Sequence, residues 1–275
     1  VIVEDALRLL PLAFGLVALP ALAENTPMHL LDSADDMRGW EGVGIVDMAG
    51  RGMCTGTLIA PELVLTAAHC LYDGTSGERL EDRSLRFLAG WRDGRALAER
   101  RVRRAVSHPE YVHDPLANVT ESGNDLALLV LEQPIRSARI APIPVAPGRR
   151  IGPDVGIVSY AHNRVSAPAL QDSCSVVGVE AGLGVFSCDV DLGSSGAPVF
   201  QMGPDGPLIV SVVLAKAVYA GGPVAVGIML DEPFDTIRDI VDDEEGGRLQ
   251  DDPPPGARVL VGGERADTGA RFVRP

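Results

Sequence analysis

The chain has 275 residues, 46% of them hydrophobic and only 4% aromatic. That is enough for one large domain or two small packed ones, with a core built from Val, Leu, Ile and Ala. Its 24 Lys and Arg stand against 38 Asp and Glu, a formal net charge of −14, which argues against nucleic acid as a partner.

The first element is an apolar run from Leu9 to Ala23. It is shorter than the roughly 20 residues of a membrane span and ends in Ala21-Leu22-Ala23, a small-x-small cleavage pattern. Residues 1–23 therefore read as an export signal. The chain is expected to be secreted or periplasmic, with no stable membrane association once the signal is cleaved. Residues 24–140 carry six strand-like runs: Gly44–Met48, Cys54–Ile59, Leu63–Thr66, Leu85–Ala89, Arg101–Ser107 and Leu126–Leu131. Pro134 to Pro153 is rich in Pro and Gly and reads as a surface linker. Residues 141–241 carry six more: Val155–Tyr160, Cys174–Glu180, Gly184–Cys188, Pro198–Gln201, Leu208–Leu214 and Val224–Leu230. Asp231 can then cap a helix, with Pro233 in its first turn and Phe234, Ile237 and Val241 on one face. Residues 242–275, acidic and rich in Pro and Gly, read as a mobile tail. The sum is an all-β chain: two six-stranded antiparallel β-barrels with the active site in the cleft between them, and a short C-terminal helix.

Cys54, Cys70, Cys174 and Cys188 make an even count in an exported chain. Two disulfides are expected, Cys54–Cys70 and Cys174–Cys188, each closing a short local loop. None has zinc or redox spacing and no acidic calcium loop occurs, so neither a metal nor a cofactor is expected. The acidic run from Asp231 to Asp252 and the arginines between Arg92 and Arg104 read as solvated faces.

Three short stretches carry chemistry. Thr66-Ala67-Ala68-His69-Cys70 follows an apolar strand, and a Cys54–Cys70 bridge would clamp the turn that presents the imidazole. A general base needs such fixation. In Asn124-Asp125-Leu126-Ala127-Leu128-Leu129 a carboxylate enters an apolar strand, which is costly unless it is paired. An imidazole Nδ1–H would meet that cost and fix the tautomer; an Asx-turn is the plainer alternative. In Gly193-Ser194-Ser195-Gly196-Ala197-Pro198 small residues leave the Ser195 hydroxyl open. The N–H groups of Gly193 and Ser195 could converge there on an oxyanion. The order His, Asp, Ser excludes an α/β-hydrolase, whose serine comes first, and a subtilisin-type chain, whose aspartate does.

These stretches, together with Cys54–Cys70 as a whole and His108-Pro-Glu-Tyr111, resemble the trypsin/chymotrypsin family of serine endopeptidases in its bacterial secreted branch. The resemblance covers residues 40 to 241. It implies perpendicular barrels with a catalytic His69, Asp125 and Ser195 between them, and an oxyanion hole from Gly193 and Ser195. It further implies that Ser211 lies beside Asp125 as triad support, and that Ser211 to Val213 pair with the substrate backbone. A polypeptide substrate and a monomeric enzyme follow.

Two departures matter. The residue before the nucleophile, an Asp in the digestive members, is Ser194 here, which cannot pair with a newly released N-terminal amine. Activity is therefore expected not to require that amine. Asp189 stands where trypsin-like members bind basic side chains and points to cleavage after Arg or Lys. A structural carboxylate is an equal reading of it. Val213 and Ala225 match pocket walls and would narrow the slot. Lys216, the only lysine, is near enough in sequence to neutralise Asp189. No His in Ile209 to Ala215 favours an acidic side chain. The alternatives are a catalytically inactive protease-fold binding protein and an esterase of small substrates.

Overall fold

The computed structural model describes residues 25–114, 124–148 and 151–251. The expected export signal and the end of the expected tail lie outside the described residues. The first barrel is made of β2 (Val43–Asp47), β3 (Met53–Ala60), β4 (Leu63–Thr66), β5 (Arg86–Ala89), β6 (Ala98–Ser107) and β7 (Ala127–Leu131). It closes antiparallel in the order β2-β3-β4-β7-β6-β5. All of β7 is buried, so its sequence ALLVL shows no alternation. One face fills the barrel, and helix α1 (Glu232–Asp251) packs on β6 and β7, laying Ile237 and Val241 into the same core.

The second barrel is made of β8 (Asp154–Ser159), β9 (Ala169–Glu180), β10 (Leu183–Phe186), β11 (Pro198–Gly203), β12 (Gly206–Tyr219) and β13 (Gly222–Met229). It closes in the order β8-β9-β10-β13-β12-β11. Its own core holds Val155, Ile157, Phe186, Val190, Val199, Val213 and Ala225. Hairpins β9–β10 and β12–β13 turn through Ala181-Gly182 and Ala220-Gly221, all four residues at positive φ. That backbone matches the twist of the flanking strands, and each glycine supplies one half of it without a Cβ penalty.

All twelve expected strands form, Leu63–Thr66 with the bounds expected and the other eleven with shifted ends. Two expectations are corrected. Residues 25–31, expected in the first barrel, lie on the second: β1 (His29–Leu30) pairs with Leu170 and Ala169 of β9, and Thr26 N donates to Ser173 O at 2.8 Å. On the edge of β9 away from β8, strand β10 reaches only Val176 to Glu180, and the backbone groups from Ala169 on that edge need a partner. The helix also continues past Val241 to Asp251, inside the stretch expected as a tail. Arg238 Nε holds Asp242 at 2.8 Å one turn on, a pair that carries the helix across the expected boundary.

The register near the cleft decides the site. Pairing of β11 with β12 ends at Pro198↔Val212. Val213 still exchanges both backbone bonds with the next loop, donating to Ala197 O at 2.9 Å and accepting from Gly196 N at 2.7 Å. Beyond it β12 keeps β13 on one side only, so its free edge begins at Leu214.

Candidate active site

His69 sits in a 3-10 turn, Ala68–Leu71, directly after β4, and the Cys54–Cys70 disulfide ties that turn to β3. Both its backbone N–H and its ring Nδ1 reach the Asp125 carboxylate, at 2.8 Å and 2.7 Å. Asp125 precedes β7 and its side chain is only 6% exposed. A carboxylate that buried is tolerable because each oxygen takes one N–H. With Nδ1–H given to Asp125, the remaining nitrogen Nε2 is an acceptor on the half-open face of the ring. Beside the pair, burial and then the Asp125 charge push the Tyr111 hydroxyl well above the usual range, keeping it a neutral donor.

The Ser195 turn is best read as an account of its peptide groups. Leu192 O accepts His162 N at 2.8 Å, and Ser194 O accepts Ala197 N at 3.0 Å. Thr55 Oγ1 donates to Gly193 O at 2.9 Å, and Thr55 N donates to Ser195 O at 2.8 Å. Of the N–H groups, Ser194 binds Asp191 O at 2.9 Å and Gly196 binds Val213 O. Among the described residues nothing takes the N–H of Gly193 or of Ser195. Gly193 stands at φ +98, which frees this arrangement from the clash a side chain would bring. The Ser195 hydroxyl donates to Leu214 O at 3.2 Å, and no hydrogen bond joins it to His69 among the described residues.

Several expected residues are placed differently. Ser211 gives Asp125 no hydrogen bond among the described residues: it is fully buried on β12 and its Oγ donates to Ile228 O at 2.8 Å, while Asp125 is held by His69. Ser211 to Val213 are hydrogen-bonded on both edges, so they have no edge to offer a substrate; Leu214 onward does. The free edge starts three residues later because β11 and the Gly196–Ala197 loop cover β12 through Val213, a long-range register that sequence pattern does not reveal. Val213 and Ala225 are buried together in the second core with Cys188 and Val190. Asp189 is exposed, and its backbone N–H goes to Gln171 Oε1 at 2.8 Å. The Cys174–Cys188 bridge also forms.

Other residues at the site were not foreseen. Ser194, lacking a charge, uses its hydroxyl instead: Oγ donates to Tyr160 O at 3.1 Å and accepts from Asp191 N at 3.3 Å. Arg164 reaches Ser194 Oγ at 3.4 Å and binds Ser159 through both its carbonyl and its hydroxyl. Burial lowers the Arg164 pKa while the charges of Asp189 and Asp191 raise it. The one group with metal-ligand proximity among the described residues, Cys54, His69 and Cys70, has both sulfurs in a disulfide and offers no thiolate.

The family model described as Trypsin matches residues 39–186, a stretch that holds His69 and Asp125 and stops before Ser195. Trypsin from Phaedon cochleariae is 37% identical over 97 residues, 34% of this chain. The chain thus spans about a third, 34%, of the length of that curated relative. Among solved structures, a Glu endopeptidase in complex with MPD superposes with a TM-score of 0.64 at 19% identity, covering 81% of this chain and 99% of that one. A thermostable serine protease, AL20, from an extremophilic microorganism gives 0.57 at 17% identity, over 74% and 97%. At those identities the structural likeness speaks for the fold, and the family match speaks for descent: this chain belongs to the trypsin family of serine proteases.

Proposed function

We propose that the chain is a serine endopeptidase with Ser195 as nucleophile, His69 as general base and Asp125 as the group that orients the base. The observation that carries this reading is the pair of N–H groups of Gly193 and Ser195, unclaimed among the described residues, on a turn whose carbonyls from Leu192 to Ser195 and other N–H groups are engaged, next to an imidazole fixed by Asp125. Rotation of the Ser195 hydroxyl from Leu214 O toward Nε2 readies it for attack. His69 takes its proton as it adds to the peptide carbonyl, and Asp125 stabilises the imidazolium. The two N–H groups hold the oxyanion, His69 returns the proton to the leaving amine, and water then hydrolyses the acyl-enzyme. The test is reaction with an organofluorophosphonate. Casein hydrolysis is expected to stop as one modification appears on the Ser195 peptide by mass spectrometry. A folded protein that takes no label would favour a binding module. Labelling with ester but no casein hydrolysis would favour an esterase.

Secretion in the manner of a bacterial exported protease fits the two disulfides, and among the described residues no helix is long and apolar enough to cross a membrane. Cleavage after basic residues rested on Asp189, whose charge here lies within the field of Arg164. A different preference has better support. Lys216 pairs directly with Ala225, so its side chain rises on the face of β12 and β13 that also carries Val213. It lies two residues past the carbonyl that holds the Ser195 hydroxyl, about 7 Å along a strand. It has no ion pair among the described residues. An acidic side chain before the cut bond would complete it. Peptide-library profiling is expected to show a preference of about tenfold or more for Glu or Asp over Arg or Lys, reversed in Lys216→Glu. A wild-type preference for Arg or Lys would restore Asp189 to the pocket role.

A further inference from the structure

Thr55 is engaged at once through its backbone N–H, its carbonyl and its hydroxyl, although the Cys54–Cys70 stretch that contains it pointed to no role for it. It is fully buried on β3 of the first barrel. Its N–H holds Ser195 O, and its carbonyl accepts Thr66 Oγ1 at 2.9 Å. Its hydroxyl proton goes to Gly193 O at 2.9 Å, and the same oxygen accepts Tyr160 N at 3.1 Å. The direction of these two bonds is unambiguous, because an N–H only donates and a carbonyl only accepts. One threonine therefore grips the peptide groups that follow both oxyanion donors, from the opposite barrel, and anchors the start of the segment that carries Arg164.

Resting on the mechanism above, we infer that Thr55 is the positioning residue that fixes the Gly193–Ser195 backbone in its oxyanion-binding orientation, a task performed by neutral hydrogen bonds across the barrel interface. Gly193, at positive φ and without a side chain, has many conformations open to it. The Ser194 hydroxyl pins the turn from within the second barrel only. Among the described residues Thr55 supplies the one side-chain bond to Gly193 O, and with it a fixed reference to the barrel that presents His69.

The test separates positioning from stability. Thr55→Val keeps the shape and removes the hydroxyl, leaving Gly193 O and Tyr160 N without their partner. The folded variant is expected to lose roughly 10- to 100-fold in kcat on a peptide substrate with KM changed less than about threefold, the pattern of an interaction made mainly in the transition state. The inhibition constant of a peptide boronic acid, which forms a tetrahedral adduct on Ser195, is expected to rise by a similar factor. Thr55→Ser retains the hydroxyl and is expected to stay within about threefold of wild type in kcat. A Thr55→Val protein that melts earlier but turns over at the wild-type rate while folded would overturn the inference. If Thr55→Val does not fold, Thr55→Ser decides: a folded Ser variant more than about tenfold slower would overturn it equally. Failure of the mechanism itself looks different, since the wild-type protein would then neither take the fluorophosphonate nor hydrolyse peptide.

Discussion

Asp125→Asn is expected to lower kcat by about 10,000-fold while leaving the fold intact. The reason lies in the two bonds that converge on this carboxylate. Oδ1 accepts the backbone N–H of His69 and Oδ2 accepts Nδ1–H. An amide has one oxygen, so it can satisfy only one of these donors. If the oxygen keeps the backbone bond, the NH2 group faces Nδ1 and must donate to it. The ring proton then moves to Nε2, and the imidazole cannot accept the Ser195 proton. If the oxygen turns to the ring, the NH2 group meets the buried backbone N–H and the His69 turn is displaced. Ser195→Ala is expected to remove labelling altogether. The check is kcat and KM on a peptide substrate, with circular dichroism to show that each variant is folded. Asp125→Asn activity within tenfold of wild type would remove Asp125 from the mechanism.

Gly196→Ala is expected to cost roughly 2 to 5 kcal/mol and all measurable activity. Two effects add: a left-handed backbone at φ +80, about 1–2 kcal/mol for a residue with a Cβ, and overpacking, about 1–3 kcal/mol. A Cβ at this position would lie closer than 3.0 Å to Thr55 O and Thr66 Oγ1, which belong to the other barrel and are themselves joined. Neither is the end of a flexible side chain, so the barrels must part or the turn must move. Gly50 is the control. It too has positive φ, +73, but a Cβ there meets nothing within 4 Å. Gly50→Ala is expected to cost only about 1–2 kcal/mol, with activity unchanged. Urea unfolding midpoints of the two variants test the difference; equal costs would mean that the barrel contact at Gly196 is slack.

Much of this architecture was legible because it rests on short-range pattern. Val64, Leu128 and Phe87 fall in apolar runs closed by Pro, Gly or charged residues, and strands of the first barrel form there. The cysteines pair locally, as their spacing indicated. What escaped depends on contacts distant in sequence. Ser211 looked like a cleft residue because the register of β12 depends on its pairing with β11 and the Gly196–Ala197 loop, which covers β12 through Val213 and leaves Leu214 at the Ser195 hydroxyl. Residues 25–31 have too little pattern to reveal that they belong to β9, far along the chain. Thr55 sits in a stretch whose signal is dominated by Cys54, and a threonine in a strand has many ordinary reasons to be there. The reach of its hydroxyl to Gly193 is visible only once both barrels are built.

The β1 segment also bears on the order of assembly. Residues 25–31 leave the ribosome before either barrel, yet the strand that receives them, β9, is about 140 residues downstream, as the 147-residue separation of Thr26 and Ser173 shows. The first barrel closes entirely within residues 43–131 and can form while the rest of the chain is still being made. The leading segment must wait through that event, unpaired, and dock only when β8 and β9 have met. Such a late, long-range closure slows the final folding step. It also means that residues 141–251 are not a separable unit: expressed alone they would present β9 with a bare edge, and the Gln171 side chain would lose the Thr26 carbonyl that it holds at 2.8 Å.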